Sequence, residues 1–244
     1  TSFEIPSEAA RFVGFVPVAL EERAAAKTLP YTTIAEYVAE RFHTDEATLG
    51  RLNNGLKENA FTVGLSVKVP AVRPFLIESS RTGTASKERI PGASLRVHHL
   101  DHQLEVCDPD GQVVAVFPIT VGSKPEYVRA GAWKVASVIP NPNFVWDDEM
   151  LKHGRKGNKQ YILPPGPNNP VGLLWLELQP VSGPEAHIGI HGTNDPTHIG
   201  RNHSSGCIRL ANWDIVRLSR LIGAGTHVVW VPQPENARVA DAGE

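Results

Sequence analysis

Two side chains near the end of this chain could do covalent chemistry together: His191, in Ile188-Gly189-Ile190-His191-Gly192-Thr193, and Cys207, in Ser204-Ser205-Gly206-Cys207-Ile208-Arg209-Leu210. A thiol attacks well only as thiolate, and an ordinary cysteine is mostly protonated at neutral pH. A nucleophilic cysteine therefore needs an imidazole or a helix N-terminus beside it. His191 ends an apolar run and can be held rigidly, while Cys207 falls on a turn just before a helical pattern. Gly192 and Gly206 allow close backbone approach and could aim N–H groups at a developing oxyanion. The chemistry this would support is acyl transfer through a thioester. A Cys and a His 16 positions apart are weak evidence taken alone, since most such pairs are structural accidents.

Short alternating segments punctuated by turns must position the pair: 95–99, 103–107, 113–121, 131–139, 173–178 and 186–190 read as strands, and 211–221 as the one good helix among them. That density of strands predicts a mainly β domain over 95–233. Residues 192–203 form a loop long enough to return Cys207 to His191. Residues 140–169, rich in Pro, Asn and Gly, make a long insertion of the kind that is more often functional than accidental. Upstream, Ile34, Tyr37, Val38 and Phe42 recur at helical spacing, a second helix starts at Thr44 as N-cap, Asn53-Asn54-Gly55 ends it, and 61–70 reads as a turn into a short strand. Residues 1–30 show no sustained periodicity apart from a short helix-compatible stretch at 20–27. The polar run 73–91 marks a linker. The expected organisation is an N-terminal segment and small α+β module over 1–75, a linker over 76–94, the β domain over 95–233 and a flexible tail over 234–244.

The site residues carry a family resemblance. Ile190-His191-Gly192-Thr193 at a strand end, a Gly-containing loop and Ser204-Ser205-Gly206-Cys207-Ile208-Arg209 resemble the YkuD-type L,D-transpeptidases. The likeness extends to Gly131-Ala132-Trp133-Lys134-Val135, to Leu163 through Gly172 and to Gly225-Thr226-His227-Val228, and so covers roughly 95–232. It implies a YkuD-like β-sandwich or barrel, with Cys207 as nucleophile, His191 as general base, Arg209 as a cation near the site and Ser204 bonding within it. The N–H groups of Gly206 and Cys207, with Gly192, would form the oxyanion hole. One common family form has His where Ser205 stands, which leaves His191 as the base. The implied reaction is attack of Cys207 on a peptidoglycan stem peptide, loss of D-Ala and transfer of the acyl group to an amine. Water in place of the amine would make a carboxypeptidase, and a non-catalytic wall-binding protein is the alternative of another class. No cofactor is implied.

The module over about 31–72 resembles a LysM-like peptidoglycan-binding unit through Ile34-Ala35, Glu40-Arg41-Phe42, Leu49, Leu52-Asn53, Val63-Gly64 and Val67-Lys68-Val69-Pro70. It departs from that pattern in lacking an opening strand before Thr33, which leaves glycan binding and a purely structural role equally open.

Blander readings stand beside these. His187, His191, His198 and His203 form no metal motif, since H-E-x-x-H and paired C-x-x-C are absent, so thiol chemistry is favoured over zinc. His187 and His198 read as exposed loop residues and His203 as lining the entrance. Trp146, in the long insertion, could flank the donor site, whereas Trp133, Trp175, Trp213 and Trp230 read as core. Asp147, Asp148 and Glu149 read as a solvated acidic loop. Cys107 reads as a small apolar side chain on a strand, not as a disulfide partner of Cys207. A net charge of -2 over 244 residues, with no basic run, argues against nucleic acid as a partner. No stretch reaches the roughly 18 apolar residues that span a bilayer. The family implies a bacterial envelope location, in the periplasm, with an export signal absent from this sequence.

Overall fold

The computed structural model describes residues 1–79, 86–122, 131–153, 155–183, 188–204 and 206–231. The chain opens with β1 (Ser2–Glu4), which pairs antiparallel with β2 (Ser66–Lys68). Between them lie α1 (Leu20–Ala25), α2 (Ile34–Arg41) and α3 (Glu46–Leu52). Thr33 caps α2 by accepting a hydrogen bond from the Glu36 N–H at 2.9 Å, and Tyr37 and Val38 bury one face of the helix. The cap of α3 is Asp45, whose carboxylate accepts from the Thr48 N–H at 2.8 Å, and not Thr44, whose own N–H is bonded to the Ala39 carbonyl at 3.0 Å. After α3 the left-handed residues Asn54 and Gly55, at φ 59° and 78°, turn the chain. β1 is not legible in the sequence because three residues are too few to show an alternation.

The remaining strands are β3 (Ser94–His98), β4 (Gln103–Cys107), β5 (Val113–Pro118), β6 (Val121–Gly122), β7 (Ala132–Pro140), β8 (Phe144–Trp146), β9 (Tyr161–Leu163), β10 (Leu174–Pro180), β11 (Ile188–His191), β12 (Asn202–Ser204), β13 (Ile208–Arg209) and β14 (His227–Trp230). Eight of them form one mixed sheet in the order β13-β11-β10-β7-β14-β3-β4-β5. Period-two burial drives it: Leu95 and Val97 on β3, Leu104 and Val106 on β4, and Leu174, Leu176 and Leu178 on β10 all face the core. Helix α5 (Asn212–Leu221) buries Ile215, Val216 and Leu218 and packs on β10 and α2. The fold is mainly β, as the strand pattern predicts.

The long insertion contains structure of its own. β8 and β9 pair as an antiparallel hairpin enclosing α4 (Asp148–His153), and α1 packs against β9. Lys159 Nζ lies 2.9 Å from Glu21 Oε1, and the Tyr161 hydroxyl donates to the same carboxylate. Asp147 is buried and not solvated as the sequence suggested. Its carboxylate accepts from the N–H groups of Met150 (3.0 Å) and Gly157 (2.9 Å) and from Gln160 Nε2 (2.9 Å), bonds that hold its pKa below the ordinary aspartate value. Within 73–91, Phe75 and Ile77 are buried, and one apolar cluster runs without a break from Ile5 to Trp230. Both cysteines are free, with Cys107 fully buried on β4. Among the described residues no helix is long and apolar enough to cross a membrane.

Candidate active site

Sheet register explains how residues 16 apart are drawn together. β11 and β13 run parallel with Ile190 opposite Ile208 and His191 opposite Arg209, and both isoleucines are buried in the core. Alternation then turns Gly189 and His191 on β11 and Arg209 on β13 to the opposite side together, and Cys207, which immediately precedes β13, packs against the edge of the core. On β10, Trp175 lies opposite His191 in register and occupies the same face.

His191 is 4% exposed, and its Nδ1 lies 2.6 Å from the Gly192 carbonyl oxygen. A carbonyl oxygen only accepts, so Nδ1 carries the proton and Nε2 keeps a lone pair. Burial pushes the pKa of His191 down to about 3, the Arg209 charge works in the same direction, and the bond to Gly192 opposes both. The imidazole is therefore a neutral base at physiological pH. Its ring stacks on Trp175, with centroids 5.2 Å apart and planes 10° from parallel. The indole lies this close to the strand because residue 189 is glycine: a Cβ there would stand 2.5 Å from the ring. Gly189→Ala is expected to tilt the indole and misalign His191, lowering kcat roughly tenfold or more, since an ångström of misplacement can cost about a hundredfold. Steady-state kinetics of the variant, with circular dichroism to show an intact fold, checks this.

The turn carrying Cys207 is braced by Ser204, whose buried hydroxyl donates to the Cys207 carbonyl at 2.5 Å and accepts from the Gly206 N–H at 3.3 Å. Gly206 sits at φ 117°, where a side chain would be strained. Ser204 thus shapes the turn that carries Cys207, and the Gly206 N–H, expected as an oxyanion donor, is turned to the serine instead. Gly192 also departs from expectation. Its N–H donates to the Leu174 carbonyl at 3.1 Å as part of the sheet, and its carbonyl is what orients His191. Glycine is needed at 192 because a Cβ would lie 2.3 Å from Asn212 Oδ1. Arg209 is half-buried, bonded through its backbone to Thr120 in both directions at 2.9 Å, and its charge acts on Cys207. Its Nε is buried with no hydrogen-bond partner among the described residues.

The other expected site residues have contacts of their own or lie outside the described residues. His203 is exposed on β12 and stacks on His198 at 4.9 Å, while His198 Nδ1 lies 2.7 Å from Asp195 Oδ2. Trp146 donates from its indole N–H to Asp148 Oδ1 at 3.1 Å and lines a cleft of about 590 Å³ built by the insertion, to which neither Cys207 nor His191 contributes. Ser205 and His187 lie outside the described residues. Among the described residues no group of three or more His, Cys, Asp or Glu is arranged to hold a metal ion. Sequence reasoning missed Trp175 and Asn212. The alternation that buries Leu174 and Leu176 could have placed Trp175 on the His191 face, whereas nothing local marks Asn212.

Residues 94–231 match the family model of the YkuD-type L,D-transpeptidase catalytic domain. The chain belongs to this family. The L,D-transpeptidase is 29% identical over 202 residues to the putative L,D-transpeptidase YkuD of Bacillus licheniformis, a match spanning 81% of this chain and 93% of that protein. It is 27% identical over 216 residues to the probable L,D-transpeptidase ErfK/SrfK of Escherichia coli K12, spanning 83% of this chain and 63% of that protein. Among solved structures, L,D-transpeptidase 3 from Mycobacterium tuberculosis aligns with a TM-score of 0.42 at 18% identity, over 58% of this chain and 62% of that one. As an L,D-transpeptidase the enzyme is a cysteine-dependent acyltransferase of cell-wall peptidoglycan.

Proposed function

We propose that Cys207 is the nucleophile and His191 the general base of L,D-transpeptidation on peptidoglycan stem peptides. The observation that carries this reading is the parallel pairing of β11, which ends in His191, with β13, which begins immediately after Cys207, with His191 Nδ1 tied to the Gly192 carbonyl and Nε2 left with its lone pair. His191 Nε2 takes the thiol proton as Sγ attacks the carbonyl of a diamino-acid residue at position three of the donor stem. Collapse of the tetrahedral intermediate breaks the C–N bond to D-Ala, whose nitrogen receives that proton, and leaves a thioester on Cys207. An acceptor amine then attacks, gives its proton to His191, forms the new amide and releases the thiol. Another stem's side chain would make a cross-link, a lipoprotein lysine an anchor and a D-amino acid an exchanged stem, while water would make the enzyme an L,D-carboxypeptidase. Arg209 stabilises the developing thiolate and the oxyanion by its charge, and the Cys207 N–H is the backbone group proposed to donate to that oxyanion.

The reading extends to the N-terminal part. We infer that about 31–72, with α2, α3 and β2, is a LysM-like unit, and that β1, upstream of it at Ser2–Glu4, supplies the strand partner of β2. In this organisation 1–75 comprises the N-terminal segment and the LysM-like module, with glycan binding or a purely structural role, 76–94 links and 95–233 carries catalysis, in the periplasm of a bacterial envelope; the expected tail, 234–244, lies outside the described residues. Retention of the full chain on cell-wall sacculi, lost on substitutions along α3, tests the glycan role.

The catalytic reading is tested by incubating the enzyme with a carbapenem and measuring intact mass. A single adduct on wild type and none on Cys207→Ala is expected. A folded wild type that takes no adduct would overturn the assignment. Mass spectrometry of products from purified tetrapeptide stems, with and without a competing amine, assigns the acceptor.

A further inference from the structure

A buried chain of hydrogen bonds runs from α2, far away in sequence, to Leu173, and its last side-chain oxygen packs against the glycine that orients His191. Glu40 on α2 is 7% exposed, accepts from the Tyr31 hydroxyl at 2.5 Å and accepts from Asn212 Nδ2 at 3.0 Å. Asn212, 1% exposed in the first turn of α5, turns its other amide atom to the catalytic strands, where Oδ1 accepts from the Leu173 N–H at 3.0 Å. That oxygen rests on two glycines. An added Cβ would lie 2.1 Å from it at Gly172 and 2.3 Å from it at Gly192, and at Gly172 would also lie 2.6 Å from the Thr193 nitrogen. The amide of Asn212 is therefore wedged into the turn whose carbonyl holds His191 Nδ1. An amide can rotate by half a turn and exchange donor for acceptor. The Leu173 N–H only donates, so it fixes Oδ1 toward Gly172 and Gly192, while Nδ2 is held toward α2 by the Glu40 carboxyl at 3.0 Å and reaches the Pro167 carbonyl at 3.5 Å.

We propose that Glu40 is a positioning residue for His191, acting through Asn212 and the Gly172–Gly192 contact, so that the N-terminal part of the chain completes the active site and does more than anchor it. This rests on the reading of His191 as the base. A buried carboxylate is costly, and an apolar side chain of similar volume is often neutral or stabilising in its place. At this site the Glu40 carboxyl is the side-chain acceptor that holds Asn212 Nδ2 toward α2 and so presses Oδ1 against the two glycines.

The test uses the full-length enzyme. Glu40→Met keeps the volume and removes both acceptors. It is expected to fold with unchanged or higher stability, to lower kcat at least tenfold and to leave KM within twofold. Glu40→Gln can still accept from Asn212 Nδ2 and is expected to stay within threefold of wild type. In wild type the side-chain nitrogen resonances of His191 should report an Nδ1–H tautomer, and in Glu40→Met a mixture. In a His191→Ala background Glu40→Met should cost nothing further. Wild-type kcat in Glu40→Met, a loss confined to KM, or a loss that persists without His191 would each overturn the proposal. If His191→Ala itself retained full activity, the base assignment would be what failed, a distinguishable result. Should Glu40→Met not fold, Asn212→Ser, which leaves the Tyr31 to Glu40 bond intact, replaces it with the same expectations.

Discussion

His191→Ala is expected to slow acylation of Cys207 about a thousandfold at pH 7, within the range that general base catalysis supplies, with KM changed little. The pH dependence should be more telling than the size of the loss. Because burial pushes the imidazole down to about pH 3, the wild-type rate should show no acid limb from histidine between pH 5 and 7, where an ordinary histidine base would titrate. The enzyme would then not rest as a thiolate and imidazolium pair. The thiol stays protonated until attack, and Nε2 removes the proton in the same step. Without the base, reaction depends on thiolate formed at the cysteine's own ionisation, ordinarily near pH 8.5, so the deficit of His191→Ala should shrink steadily from pH 7 to pH 10. Single-turnover acylation by a carbapenem, followed by intact mass across pH 5 to 10, measures both effects. A wild-type limb near pH 6.5, or a deficit independent of pH, would contradict the geometry of a buried neutral base.

Glu40 should produce the second large effect, on stability. Burial, reinforced by the nearby Glu36 charge and only partly offset by hydrogen bonds from Tyr31 and Asn212, raises its pKa to about 7. The sign follows from proton counting. Between pH 4.5 and 7 the folded protein holds a proton on Glu40 that the unfolded chain has lost, so folding is favoured at low pH and the contribution disappears as pH rises through 7. A shift of that size is on the order of 3 kcal/mol. Relative to wild type, Glu40→Met should gain about that much stability as pH rises from 4.5 to 7, with little relative change on either side. Any constant offset from leaving Tyr31 and Asn212 without their acceptor is separate from this slope. Urea unfolding of both proteins at pH 4.5, 5.75 and 7.5 measures it, and parallel stability curves would mean that Glu40 titrates normally. The two expectations join: the carboxyl that destabilises the fold as pH rises through 7 is the one that accepts from Asn212 Nδ2, while Oδ1 of that amide packs against Gly192.

Much of this arrangement is legible in the sequence, and the reason lies in the range of the forces involved. Alternation of buried and exposed side chains gives β3, β4, β10 and β11 close to their observed bounds, because burial on one sheet face acts on every second residue. The same local logic gives α2 and α5. β1 escapes it with three residues, and the β8 and β9 hairpin escapes it because each strand is three residues long and set among Pro, Asn and Gly. Asp147 looks like one of three solvated acids in sequence, yet it is buried by donors at 150, 157 and 160 that only the folded loop brings to it.

The thiol, the imidazole and the turn glycines around them are fixed by the sequence, since their chemistry is intrinsic to residue type and their family pattern is written contiguously. Which backbone groups are spent and which are free is decided by tertiary pairing. Gly192 N–H joins β10, Gly206 N–H joins Ser204, and the Gly192 carbonyl chooses the tautomer of His191. The protonation state of His191 likewise comes from its burial beneath Trp175, and the tie from Glu40 to Asn212 joins residues 172 positions apart. Hydrogen bonds and desolvation depend on which atoms meet in three dimensions, and no local spacing encodes that.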